Sequence, residues 1–174
     1  AAQEDLARHY GFLPLEVYKL EKRSESMVAG DFNADGLTDL ALIDNSHSRI
    51  DLLLQRTEEP ASTPSTSTDV NRIDSHWRFE HTKIPVDRQI DALVAGDFNS
   101  DGKLDLAYFA QPDRLIVRYQ KDGRDWSSTW ETRLADVSVE SWGIVAGDFN
   151  HDQRADLAVL GQKSTYIVRQ NRAG

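Results

Sequence analysis

The hexamer Val28-Ala-Gly-Asp-Phe-Asn33 recurs unchanged at residues 94–99 and at residues 145–150. Each copy is followed after one residue by Asp, and four residues later by Asp-Leu-Ala. The first Asp of each copy lies 66 residues from the next (Asp31 to Asp97) and then 51 residues (Asp97 to Asp148). These distances are in the range of one four-stranded propeller blade. The sequence therefore predicts three copies of one structural unit.

Short apolar runs around each copy have the period-two alternation of β-strands. Ile50, Leu52 and Leu54, for example, fall on one face of a strand that follows the first copy. We therefore expect an all-β fold of the β-propeller type, built from three four-stranded repeats. The predicted strands are residues 26–32, 39–43, 49–56 and 77–85, then 104–109, 114–120 and 130–134, then 156–160 and 165–170.

The predicted strands are divided unevenly among the repeats. The third repeat lacks a fourth strand, whereas residues 12–20 form a predicted strand ahead of the first repeat. Three blades are fewer than the roughly four that close a ring. We therefore expect residues 1–174 to be a single propeller segment, part of a larger ring or completed by other chains. Its blade motifs start near residues 26, 92 and 143, and residues 58–70 form a long polar loop.

Composition narrows the possible functions. The chain is 39% hydrophobic and 28% charged, as in soluble globular proteins. No apolar run approaches the roughly 18 residues of a membrane span. Cysteine is absent, so any metal must be held by oxygen or imidazole. The net charge of −9 argues against nucleic acid or anionic membranes as partners.

Each copy of the motif places side-chain oxygens at positions one, three, five and nine of a loop. Alternating carboxylates with one amide, plus a backbone carbonyl at position seven, suit calcium, which takes about six to eight oxygen ligands. Gly36 and Gly102 at position six allow a sharp turn, whereas the third loop has Gln153 there, which predicts weaker binding. The predicted ligands are Asp31, Asn33, Asp35, Leu37 and Asp39; Asp97, Asn99, Asp101, Lys103 and Asp105; and Asp148, Asn150, Asp152, Arg154 and Asp156.

The charge count supports a cation in each loop. Each loop carries three Asp, so the loops hold nine of the 29 acidic residues, and the other 20 equal the 20 basic residues in number. Three carboxylates that converge on one point would repel one another without a cation. We therefore predict about three calcium ions per chain.

Two other calcium motifs, the EF-hand and the dockerin loop, are excluded because both need a ligand at position twelve and a helix after it. Position twelve is Leu42, Tyr108 or Val159 here, and an apolar β-run follows. The pattern Asp-Phe-Asn-x-Asp-Gly-x-x-Asp-Leu-Ala instead resembles the FG-GAP/VCBS repeats of integrin α-subunits and of many bacterial surface proteins.

The resemblance implies that calcium loops join the first and second strands of each blade and that the metal is structural. It also implies that partners bind to the loop-bearing faces. We therefore expect a module for protein or glycan recognition or scaffolding, without enzymatic activity, located outside the cell, on its surface or in the periplasm. An alternative is that the chain is the non-catalytic propeller portion of a secreted polysaccharide-active enzyme.

Aromatic residues are expected to pack between blades. Phe32, Phe98 and Phe149 occupy position two of the three loops. The four Trp could form a sugar-stacking platform, but packing between blades explains them with fewer assumptions. The sequence contains no serine nucleophile elbow, phosphate-cradling glycine loop or histidine metalloprotease motif.

Overall fold

A computed structural model describes residues 18, 20, 24–58, 77–122, 124–137, 140 and 143–171. Regular structure in these residues is entirely β-strand, which confirms the predicted all-β class. Accordingly, no helix among them has the length and apolarity to cross a membrane. The strands are β1 Met27–Gly30, β2 Asp39–Asp44, β3 Arg49–Gln55, β4 Phe79–Pro85, β5 Ile90–Gly96, β6 Asp105–Ala110, β7 Arg114–Tyr119, β8 Ser128–Arg133, β9 Ile144–Gly147, β10 Asp156–Leu160 and β11 Thr165–Val168.

The strands form three antiparallel sheets in which consecutive strands are neighbours. The first sheet has the order β1-β2-β3-β4, the second β5-β6-β7-β8, and the third β9-β10-β11. The strands predicted from residue 26 onward are confirmed, and their ends agree with the prediction to within two residues. The predicted strand at residues 12–20 lies outside the described residues apart from Tyr18 and Leu20, which are not in a strand. Most of the predicted loop at residues 58–70 also lies outside them.

The sheets stack in chain order, with their first strands next to one another. β1 contacts β5, and β5 contacts β9, as expected for the innermost strands of propeller blades. The middle sheet is buried on both faces because the first sheet covers one face and the third sheet covers the other. Successive side chains of its strands point to opposite faces. Leu106 and Tyr108 of β6 join the core shared with the first sheet, and Ala107 and Phe109 join the core shared with the third.

The glycine before each loop makes room for packing at the sheet interface. A Cβ atom at Gly96 would lie 2.8 Å from Cζ of Phe98, because that ring folds back over the glycine. At Gly30, a Cβ atom would lie 2.5 Å from Cδ1 of Leu104 in the next repeat. The Gly-Asp-Phe triplet therefore serves interface packing as well as the turn.

The phenylalanines at position two differ in burial according to what lies beyond their sheet. Phe32 is fully buried and Phe98 is 7% exposed, which confirms the prediction that they pack between sheets. Phe149 departs from that prediction with 46% of its surface exposed. The reason is that no fourth sheet covers the third one within the described part of the chain.

The tryptophans also differ in burial. Trp126 is buried between the first and second sheets, with its ring 6.4 Å from that of Phe32, so packing explains it. Trp130 is 40% exposed, contrary to the packing expectation. It lies on the outer strand β8 directly opposite Val117, whose side chain faces the third sheet. That sheet has no fourth strand among the described residues to cover the indole. Trp142 lies outside the described residues.

Candidate metal centre

The three loops connect the first and second strands of their sheets, at residues 31–38, 97–104 and 148–155. All three have the same backbone conformation. Position four is left-handed in each, with φ of 61° at Ala34, 60° at Ser100 and 61° at His151. Position six is left-handed too, with φ of 84° at Gly36, 82° at Gly102 and 66° at Gln153. The third loop therefore keeps the geometry of the others although it lacks the glycine.

Side-chain oxygens from positions one and three meet at one backbone N–H in every loop. The N–H of Asp35 donates to Oδ1 of Asp31 and to Oδ1 of Asn33, both at 3.1 Å. The N–H of position six also donates to the position-one carboxylate, as in Gly36 to Asp31 at 2.9 Å. The second and third loops repeat these bonds through Asp101, Gly102, Asp152 and Gln153.

The Asp at position nine has a second structural role that the spacing of the motif does not predict. Asp105 is fully buried, and it accepts N–H bonds from Phe98 at 2.9 Å and from Gln120 at 2.8 Å. It therefore ties the start of its own loop to the end of the third strand of the sheet. We call this pair of hydrogen bonds the clamp. Asp39 makes the same clamp with Phe32 and Gln55, and Asp156 makes it with Phe149 and Gln170.

The clamp left a signal in the sequence. Gln55, Gln120 and Gln170 follow the position-nine Asp by 16, 15 and 14 residues, each at or next to the last residue of a predicted apolar strand. The hydrogen bond uses the backbone N–H of each Gln and not its side chain. The presence of Gln at these positions therefore does not by itself predict the bond.

The environment of the loop carboxylates is set by burial and by backbone N–H groups. The net pKa of Asp105 is raised to about 6, and burial is the largest cause. The N–H groups of Gln120 and Phe98 lower this pKa, and the nearby Asp101 raises it. Burial likewise raises the pKa of Asp39. The exposed Asp148 has a lowered pKa, mainly because of the N–H of Gln153. A cation beside these groups would favour their charged forms.

The side-chain oxygens of the loops are of the kind that calcium binds, but in this structure they accept hydrogen bonds from within their own loop. No group of three or more His, Asp or Glu among the described residues is gathered as a metal ion requires. Nδ2 of Asn33 donates to Oδ2 of Asp35 at 2.9 Å, and that oxygen is one of those predicted to bind metal. Binding would therefore need this hydrogen bond to yield to the ion. The donors themselves are the hard oxygens that calcium prefers.

Replacing Gln153 by Gly is expected to raise the free energy of unfolding by about 1 kcal/mol, because a side chain at left-handed φ is strained. Chemical denaturation of the metal-free chain measures the change. Gly36→Ala provides the matched control, since a Cβ atom there would meet nothing within 4 Å and the cost would be purely that of the backbone. It should destabilise the chain by a similar amount. Equal stabilities for Gln153→Gly and the unchanged chain would contradict the strain at this position.

Comparison with known proteins identifies part of the chain. Residues 97–159 match the family model described as an FG-GAP-like repeat. The match begins at the first Asp of the second loop and ends within β10, so it includes the third loop. It covers a little over a third of the 174 residues. No curated protein matches the chain.

Proposed function

We propose that the chain, of which residues 97–159 match an FG-GAP-like repeat, is a propeller-type module for recognition or scaffolding that calcium stabilises. Each loop would hold one ion through its side chains at positions one, three, five and nine and the carbonyl at position seven. The ion would supply positive charge that neutralises three carboxylates. The chain's own groups then keep the strands in register, and no catalytic role is assigned to them.

The convergence of two predicted ligands in all three loops carries this proposal. Position-one and position-three oxygens lie within 3.1 Å of one N–H group in each loop. Three different sequences reach this arrangement through the same pair of left-handed residues. For Ala34, Ser100 and His151 such a φ costs free energy, so a purely structural turn would be expected to avoid it at least once.

The proposed partners are proteins or glycans bound at the loop-bearing end of the sheets. We propose that the chain works outside the cell, at the cell surface or in the periplasm. Extracellular modules typically bind calcium with a Kd of about 10⁻⁴ to 10⁻³ M. In that setting the sites would be occupied by the ambient ion. Further blades, from a longer chain or from other chains, would complete the ring around the innermost strands.

Calorimetric titration of the metal-free chain with calcium tests the proposal. We expect three ions per chain, with the third loop the weakest because Gln153 must hold a strained φ. Asp101→Asn serves as a control, since it removes one charge from the second loop and should reduce the number of tightly bound ions from three to two. A single bound ion, or a preference for magnesium over calcium, would contradict the proposal.

A further inference from the structure

Gln120 contacts the first and the second loop at the same time. Its backbone N–H donates to Oδ1 of Asp105 at 2.8 Å, as part of the clamp of the second loop. Its side chain reaches the preceding sheet, where Nε2 donates to the carbonyl oxygen of Phe32 in the first loop. Gln120 is only 1% exposed, so both hydrogen bonds lie in the buried interface between the first and second sheets.

The bond to Phe32 continues into the clamp of the first loop. The N–H of Phe32 donates to Oδ2 of Asp39 at 2.8 Å. A continuous chain of hydrogen bonds therefore joins Asp39 to Asp105. Both ends of this chain are position-nine carboxylates, which are predicted ligands, and both are fully buried.

The carbonyl that Gln120 holds belongs to the peptide unit before a predicted ligand. The C=O of Phe32 and the N–H of Asn33 lie in one plane, so the bond from Gln120 limits how that unit can rotate. Nδ2 of Asn33 donates to Oδ2 of Asp35, which is the bond that has to yield when an ion binds the first loop. Gln120 is therefore placed to act on the change of this loop from a hydrogen-bonded to an ion-bound state.

Gln170 makes a similar contact between the third and the second loop. Its N–H makes the clamp with Asp156, and its Oε1 accepts a hydrogen bond from Oγ of Ser100 at 3.1 Å. This bond is exposed, and it ends on a side chain of the second loop and not on its backbone. We therefore expect a weaker link here than the one made by Gln120.

Gln55 has the corresponding place in the first sheet without such a contact. Its N–H makes the clamp with Asp39 at 2.7 Å. In the part of the chain that the structure describes, no hydrogen bond joins its side chain to another loop. The contact across the interface is thus separate from the clamp.

Two effects decide the sign of a coupling between the first two loops. Closely packed buried groups move together, so an ion that rearranges one loop leaves less rearrangement for the ion that enters the other. Charge acts in the opposite direction, because the first ion removes negative charge that attracts the second. Salt at about 0.15 M screens exposed charges beyond about 8 Å, and it screens buried groups much less. At that salt concentration we expect the buried hydrogen bonds to dominate.

We propose that Gln120 couples the first two loops, so that an ion bound in one loop raises the affinity of the other. Linkage makes the effect reciprocal, because each loop must strengthen the other by the same factor. This inference rests on the calcium binding proposed above. It makes Gln120 a positioning residue that is not itself a ligand.

Calorimetric titration with calcium at about 0.15 M salt tests the coupling in chains with chosen loops disabled. Asp152→Asn leaves the first and second loops intact. The further change Asp101→Asn leaves the first loop alone, and Asp35→Asn in its place leaves the second loop alone. The two-loop chain should bind its second ion at least about fivefold more tightly than the single-loop chains indicate for independent loops. Affinities equal to those of independent loops would overturn the inference.

Gln120→Met shows whether the coupling passes through the side-chain amide. Met is similar in length and keeps the N–H of the clamp, and no group among the described residues donates to Oε1 of Gln120. The coupling factor should fall from at least about five to about one. Gln55→Met is the matched control and should leave the factor unchanged. A cooperative urea transition in excess chelator verifies that each variant folds, and Gln120→Leu replaces Gln120→Met if the latter does not.

The titrations distinguish failure of this inference from failure of the calcium proposal. Calcium binding with the same coupling factor in Gln120→Met as in the chain with Gln120 would overturn the inference alone. Absence of calcium binding in every chain would overturn both.

Discussion

Replacing Asp105 by Ala is expected to lower the free energy of unfolding by about 3 kcal/mol in the presence of excess chelator. The change removes the acceptor of two backbone N–H groups, those of Phe98 and Gln120. Each buried N–H left without a partner costs about 1–3 kcal/mol. The substitution also removes a buried carboxylate, whose charged form is disfavoured by burial, as its raised pKa indicates. This gain offsets part of the cost.

Urea denaturation measures this effect, and Asp101→Ala is its matched control. Both residues belong to the second loop and both are predicted ligands, but Asp101 is exposed and Asp105 is fully buried. Without calcium, Asp101→Ala should cost less than about 1 kcal/mol, as surface substitutions usually do. Equal losses for the two variants would contradict the clamp, because the effect would then follow loop membership and not burial.

The strand pattern could be predicted from the sequence because the motif repeats and the flanking runs alternate. Ile50, Leu52 and Leu54 fall on one face of β3, in the core shared with the second sheet, as their spacing indicates. The burial of aromatic residues could not be predicted in the same way. Phe32 and Phe149 occupy identical sequence contexts, but only Phe32 is covered by a following sheet.

For the loops, the sequence predicts which oxygens lie close together but not what else they bind. The spacing of Asp31 and Asn33 predicts their convergence, and they share one N–H in the structure. The spacing gives no information on the bond from Gln55 to Asp39, because those residues meet only when β3 returns beside the loop. Long-range contacts of this kind depend on the strand register, which a local pattern does not contain.

Calcium withdrawal is the second change with a large expected effect. Ions that bind the folded chain and not the unfolded one raise stability by about 1.4 kcal/mol per site at tenfold excess over Kd. Three sites would contribute about 4 kcal/mol, a large share of the stability of an ordinary domain. In calcium, Asp35→Ala or Asp101→Ala should therefore lower the melting temperature and reduce its response to chelator.

The melting temperature of the unchanged chain, recorded in millimolar calcium and again after excess chelator, tests the calcium account most directly. We predict a clear fall on chelation that added calcium reverses and that added magnesium does not. Three carboxylates per loop would then be shown to depend on a bound ion for their contribution to stability. An unchanged melting temperature in chelator would contradict the claim that calcium holds these loops.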